Sequence, residues 1–124
     1  FKALTTSTTL LELEHLGLAR NGLGHGVCVA LAKSSNLGEL SSLNLNSNKL
    51  TDEDLELLLR SPTLENLTTL MVRNCVIEGY VASTARVREL ERRGLGCDLR
   101  DNPLTPEAVR FVKSLPRGSR SLRV

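Results

Sequence analysis

Leu40-Ser-Ser-Leu43-Asn-Leu45-Asn-Ser-Asn48-Lys-Leu50 sets four leucines and one asparagine in the frame Leu-x-x-Leu-x-Leu-x-x-Asn-x-Leu. The same frame is complete at Leu13, Leu16, Leu18, Asn21 and Leu23, every member numbered lower by 27. A third copy follows at the same shift, with Leu67, Leu70, Val72, Cys75 and Ile77, and a weaker fourth runs through Cys97, Leu99, Asn102 and Leu104. A fixed period of roughly 20 to 50 residues marks stacked units, each burying its apolar side against the next.

Within each copy the alternation x-Leu-x-Leu-x has period two, so the leucines share one side of a short strand. Parallel neighbours need a crossover, and a shift this long leaves room for a helix. Helix signals recur at matching phase. Thr51-Asp-Glu-Asp54 reads as an N-cap with an acidic residue three on, and Thr105-Pro106-Glu107 puts proline at the first helical position. Apolar residues three apart supply the inward helical face: Cys28 with Leu31, Leu55 with Leu58, Ala82 with Ala85, Val109 with Val112. The alanines of the third copy are small, so its helix is expected to lean closer or to rotate onto Val81, Val87 and Leu90.

These two full matches and two near matches resemble the leucine-rich repeat proteins, and the period and connecting helices resemble the ribonuclease-inhibitor-like subclass. The resemblance covers essentially the whole chain and implies an α/β fold: a right-handed horseshoe segment of about four repeats of 27 residues. Helices need roughly 10 Å of lateral room and hydrogen-bonded strands about 4.8 Å, so the parallel sheet is expected on the concave side and the helices on the convex side. The fourth copy departs from the pattern, with Gly94 in place of the opening leucine and Cys97 in place of the second.

Residues 1–124 read as one domain. Phe1 and Leu4 fall on the helical register of a preceding unit, and Ser121 to Val124 on the opening of a fifth, with Val124 in the column of Leu16, Leu43 and Leu70. Both ends thus cut through a unit, and the expectation is a segment of a longer solenoid or larger chain.

The composition, 40% hydrophobic and 24% charged, suits a globular module, and no apolar run is long enough to span a bilayer. A formal charge of +2 argues against a strong sequence-independent grip on nucleic acid. The route left open to one is the basic tail of Arg117, Arg120 and Arg123.

Polar and reactive residues fall on structural phases. Cys28 lies on the inward helical column, Cys75 replaces the turn asparagine and Cys97 sits in the leucine column. There is no Cys-x-x-Cys pair, so neither zinc nor a disulfide framework is indicated, and free thiols suit a reducing cytoplasmic or nuclear compartment. Asn21, Asn48 and Asn102 are expected to satisfy backbone groups of stacked turns. His15 and His25 are ten apart on different elements and form no recognisable catalytic arrangement. Asp52, Glu53 and Asp54 lie where carboxylates favour a helix dipole. Gly22-Leu-Gly24-His-Gly26 lacks the spacing of a phosphate loop and reads as a turn, and Asn66-Leu67-Thr68 uses a core leucine. No catalytic residue, metal or cofactor is indicated.

The concave surface follows from the residues between the leucines. Its columns run His15, Ser42, Thr69, Gly96; then Gly17, Asn44, Met71, Asp98; then Ala19, Asn46, Arg73, Arg100, with Arg20 just beyond. Binding hot spots favour Trp, Tyr and Arg. The chain has no Trp, one Tyr and two Phe, none of them on this face. A partner there would use His15, Arg20, Asn44, Asn46, Met71, Arg73, Asp98 and Arg100. The leading expectation is a non-catalytic protein-interaction module. Alternatives are a packing element in a large assembly, including a ribonucleoprotein, and a GTPase-activating module, an activity found in one branch of the family.

Overall fold

The computed structural model describes residues 13–80, 82–116, 118–119 and 121–124. The expectations placed on Phe1, Leu4, Val81, Arg117 and Arg120 lie outside the described residues. The strands are β1 (His15–Gly17), β2 (Ser42–Asn44), β3 (Thr69–Met71), β4 (Gly96–Asp98) and β5 (Leu122–Arg123). Four helices alternate with them: α1 (His25–Lys33), α2 (Asp52–Arg60), α3 (Thr84–Arg93) and α4 (Pro106–Lys113). The chain is α/β, its strands forming one parallel sheet in the order β1-β2-β3-β4-β5.

The register is the sequence period made visible. Leu16, Leu43, Leu70 and Cys97 are successive Cα partners, each one full period after the last. Their side chains enter one core with Leu31, Leu55 and Leu58 of the helices, so the helices cover one face of the sheet and leave the other open. Leu43, Leu70 and Cys97 have no exposed surface. The starts of α2 and α4 are capped as the sequence predicts. Thr51 N–H and its hydroxyl both donate to Asp54 Oδ2 (2.9 and 3.1 Å), while Thr105 Oγ1 accepts from Ala108 N–H at 3.2 Å ahead of Pro106.

The fifth strand corrects the expected phase. Cys97 pairs with Leu122, two positions short of a full period, and not with Val124. Cys97 N–H donates to Ser121 O (2.8 Å) and Leu99 N–H to Arg123 O (2.7 Å), which lock this register. A slip of two residues preserves the alternation of faces, whereas a slip of one would turn the core residues outward. Leu122 is accordingly buried and completes the column.

The third unit departs from the regular period in a different way. Its strand-to-helix connection is residues 72–83, twelve positions, where the other three (18–24, 45–51 and 99–105) have seven. Its helix-to-strand return shrinks in compensation to residues 94–95, with Gly94 at φ +67° closing α3. The helix therefore starts late. Ala82 lies before it and Ala85 is exposed, and the inward pair is Val87 and Leu90. In α4 the inward side is Ala108, Phe111 and Val112, so Val109 is not the partner of Val112 that its spacing suggested. Arg93 fastens α3 to the preceding unit by donating to Leu59 O (2.7 Å) and Leu64 O (3.1 Å), and Arg86 pairs with Glu56 and Glu89. No helix among the described residues is long and apolar enough to cross a membrane.

Candidate functional site

The open sheet face carries the residues singled out by strand alternation, but it does not present them alike. Arg20, Asn44, Asn46 and Arg73 come together around a shallow polar depression whose rim is completed by Ser47, Asn74 and Asp101. His15 is exposed on β1 and Met71 is partly exposed on β3, both beside this depression rather than lining it. Asp98 and Arg100 form a separate pair.

The rim has an unusual backbone. Arg20, Ser47, Asn74 and Asp101 have φ values of 60, 59, 52 and 63°, the left-handed region, one in each unit at the same phase. Each follows its strand by the same distance, and the turn there aims peptide N–H groups at the next unit. Arg20 N–H donates to Asn46 O (2.9 Å), Ser47 N–H to Arg73 O (2.8 Å) and Asn74 N–H to Arg100 O (3.1 Å). Non-glycine residues hold this conformation only where surrounding bonds over-determine it.

Side chains on this face are largely bonded within it, to neighbouring backbone or to one another. Asn44 Oδ1 accepts from Asn46 N–H (3.0 Å), Asn46 Oδ1 from Arg73 N–H (2.8 Å), and Arg73 Nη2 pairs with Asp101 Oδ2 at 2.7 Å. Arg100 grips Asp98 with Nε on Oδ1 (2.9 Å) and Nη2 on Oδ2 (2.7 Å), a fork-to-carboxylate arrangement. Alternation alone predicts an exposed Asp98; it is 7% exposed, because the guanidinium two residues on closes over it. Burial pushes its carboxyl pKa up, but the Arg100 hydrogen bonds, helped by the charges of Arg100 and Arg123, outweigh it and leave the pKa below its ordinary value.

Deeper in, the asparagines serve the backbone. Asn48 Oδ1 accepts from Asn21 N–H (3.1 Å) and Leu23 N–H (2.9 Å), and its Nδ2 donates to Leu18 O and Leu45 O, both at 3.0 Å. Asn102 repeats the pattern for Cys75 N–H, Ile77 N–H, Val72 O and Leu99 O. Cys75 stands in the same column, its thiol directed at Leu45 O and Arg73 O at 3.5 Å. All three cysteines are free and buried. Burial, then the nearby Asp54 and Cys75, pushes the Cys28 thiol up to about 12; burial, then Asp98, does the same for Cys97. Thiols held protonated in this way are poor nucleophiles.

Two features are not legible from spacing. His25 Nδ1 lies 2.6 Å from Oδ1 of the buried Asp54, joining the starts of α1 and α2. The sequence separation of 29 hides this contact unless the period is subtracted first. The second is the long connection of the third unit, where Val76 and Tyr80 stand exposed. A signal for it does exist in the sequence, since the stretch from Val72 to Ser83 suits no regular element. Among the described residues no group of three or more His, Cys, Asp or Glu side chains is placed to hold a metal ion.

No family model and no curated protein matches this chain.

Proposed function

We propose that the chain is a leucine-rich repeat segment of the ribonuclease-inhibitor-like type, an intracellular, non-catalytic module that binds a partner protein on the open, concave face of its sheet. The observation that carries this reading is the depression bordered by four left-handed residues, one per unit, which gathers Arg20, Asn44, Asn46 and Arg73, the last three tied by bonds within the face. Preorganised side chains lose little entropy on association, so a fixed array favours binding without any reaction. Helices wider than strands supply the curvature, and buried free thiols suit a reducing compartment.

The test uses residues that the fold does not need. Arg100→Glu is unsuitable, because it would set a second carboxylate against buried Asp98 and destabilise the chain. Arg20→Glu combined with Met71→Lys leaves the internal pairs intact. A partner captured on the wild-type chain should bind this variant about tenfold or more weakly, with unchanged melting; undiminished binding contradicts the proposal.

A second reading is a packing element within a larger assembly, including a ribonucleoprotein. It is favoured by the internal pairing of Arg73 with Asp101 and Arg100 with Asp98, which leaves fewer free charges on the open face. Steep weakening of association with salt would support a nucleic-acid contact.

A further inference from the structure

Val76 and Tyr80 are the large hydrophobic side chains left exposed among the described residues, at 49 and 73%. Both lie on the twelve-residue connection 72–83 of the third unit, where the strand ends, and neither lines the polar depression, which Arg73 and Asn74 of the same connection reach. Long connections of this kind carry function more often than they serve packing.

Residues 76–80 of the connection are held from both sides. Asp52, in the preceding unit, accepts three consecutive backbone N–H groups: Glu78 on Oδ2 (2.8 Å), Gly79 and Tyr80 on Oδ1 (3.0 and 3.1 Å). Val76 N–H donates to Leu50 O (2.9 Å), and the following unit closes the other side through Thr105 N–H to Glu78 O (2.9 Å). Ile77 is a fully buried anchor. Gly79, at φ +94°, packs so closely that a Cβ there would lie 2.7 Å from Ala108 Cβ. None of these restraints uses the side chain of Val76 or Tyr80. The fold gains little from an apolar group at either position, yet it fixes the backbone from which both project.

The surroundings are acidic. Glu78 pushes the Tyr80 phenol pKa up, Asp52 bonds the backbone of residues 78–80 and so brings its neighbour Glu53 to the same edge, and Gly79 packs on Ala108, next to Glu107. Cations also lie near this edge: Lys49, next to the Leu50 whose carbonyl bonds Val76 N–H, and Arg110, which is paired with Glu107.

We infer that this edge is a second docking surface, distinct from the concave face, for a basic segment of a partner protein: an aliphatic side chain seated against Val76 and Tyr80, flanked by Lys or Arg that meet Glu53 and Glu78. A tyrosine ring on a preformed loop is a large contact at low entropic cost, and an arginine over its face gains a cation–π contribution. The acidic rim disfavours nucleic acid and anionic lipid at the same place.

The test is selection of phage-displayed random peptides on the intact chain, followed by fluorescence-polarisation titration of the enriched sequences. The expected peptides carry an aliphatic residue flanked by Lys or Arg and bind Tyr80→Ser or Val76→Ser about tenfold or more weakly. They bind the Arg20→Glu, Met71→Lys variant as well as wild type, which separates this surface from the concave one. Both serine substitutions are at exposed side chains, so the melting profile should not move. Failure to enrich any peptide, enrichment of peptides without basic residues, binding indifferent to Tyr80→Ser, or binding lost in the Arg20→Glu, Met71→Lys variant would each overturn the inference.

Discussion

Asn48 reaches 25 residues back along the chain to Leu23, accepting its N–H on Oδ1 at 2.9 Å while donating from Nδ2 to the carbonyls of Leu18 and Leu45. One side chain thus completes the turns of two units, and Asn102 does the same for the next pair. Replacing Asn48 by Leu strands several buried backbone groups, each costing on the order of 1–3 kcal/mol. Chemical denaturation should show a loss of about 3 kcal/mol or more, and binding by the folded fraction should persist. A variant with wild-type stability would remove the asparagine column from the account.

The left-handed rim makes a separate prediction at Ser47, φ 59°. A β-branched residue fits that region worst and glycine best, so Ser47→Val should cost about 1–2 kcal/mol relative to Ser47→Gly. Glycine also loses more freedom on folding, which holds Ser47→Gly close to wild type. Equal melting temperatures for the two variants would contradict the left-handed geometry.

Alkali should reveal the buried thiols. The folded pKa of Cys28 and of Cys97 is raised from 9.0 to about 12, so each contributes stability that is complete below pH 9 and lost as pH rises towards 12. The urea midpoint should fall across that window, and thiolate absorbance should lag that of the unfolded chain. Full thiolate absorbance at pH 9 to 10 in the folded protein would show these thiols to be solvated.

Acid should act through Asp98. Its folded pKa is below the ordinary value of 3.8, so its pairing with Arg100 stabilises the fold above that pH and the contribution disappears as pH falls through the folded value. Asp98→Asn should flatten the acid limb of the stability profile, and Arg100→Glu should lower stability at neutral pH. An unchanged acid limb in Asp98→Asn would assign the loss to other carboxylates.

Much of the architecture was legible because the units are alike. Leucines at a constant interval predict the strands, their parallel order and the stacked column from Leu16 to Cys97, and the caps at Thr51 and Thr105 are local signals. What escaped was where one unit differs from its neighbours. The two-residue slip to Leu122 depends on the pairing of β5, and the late start of α3 on a longer loop balanced by a shorter return. The second is a trade between connection lengths and the first a net shortening of the fourth unit, and neither is visible to a period counted at fixed spacing. On the candidate surface, alternation identified which residues lie on the open face but not their internal bonding, since whether Asp98 meets solvent is decided by the rotamer of Arg100. Tyr80 was visible as the chain's single tyrosine, but its presentation depends on Asp52, 28 residues away.

The most direct test is the pattern of interstrand nuclear Overhauser effects in the isotope-labelled chain. The account predicts parallel-sheet contacts linking Leu16 to Leu43, Leu43 to Leu70, Leu70 to Cys97 and Cys97 to Leu122. Antiparallel contacts, or a register in which Leu70 faces any strand other than those of Leu43 and Cys97, would contradict the stacked units on which both proposed docking surfaces depend.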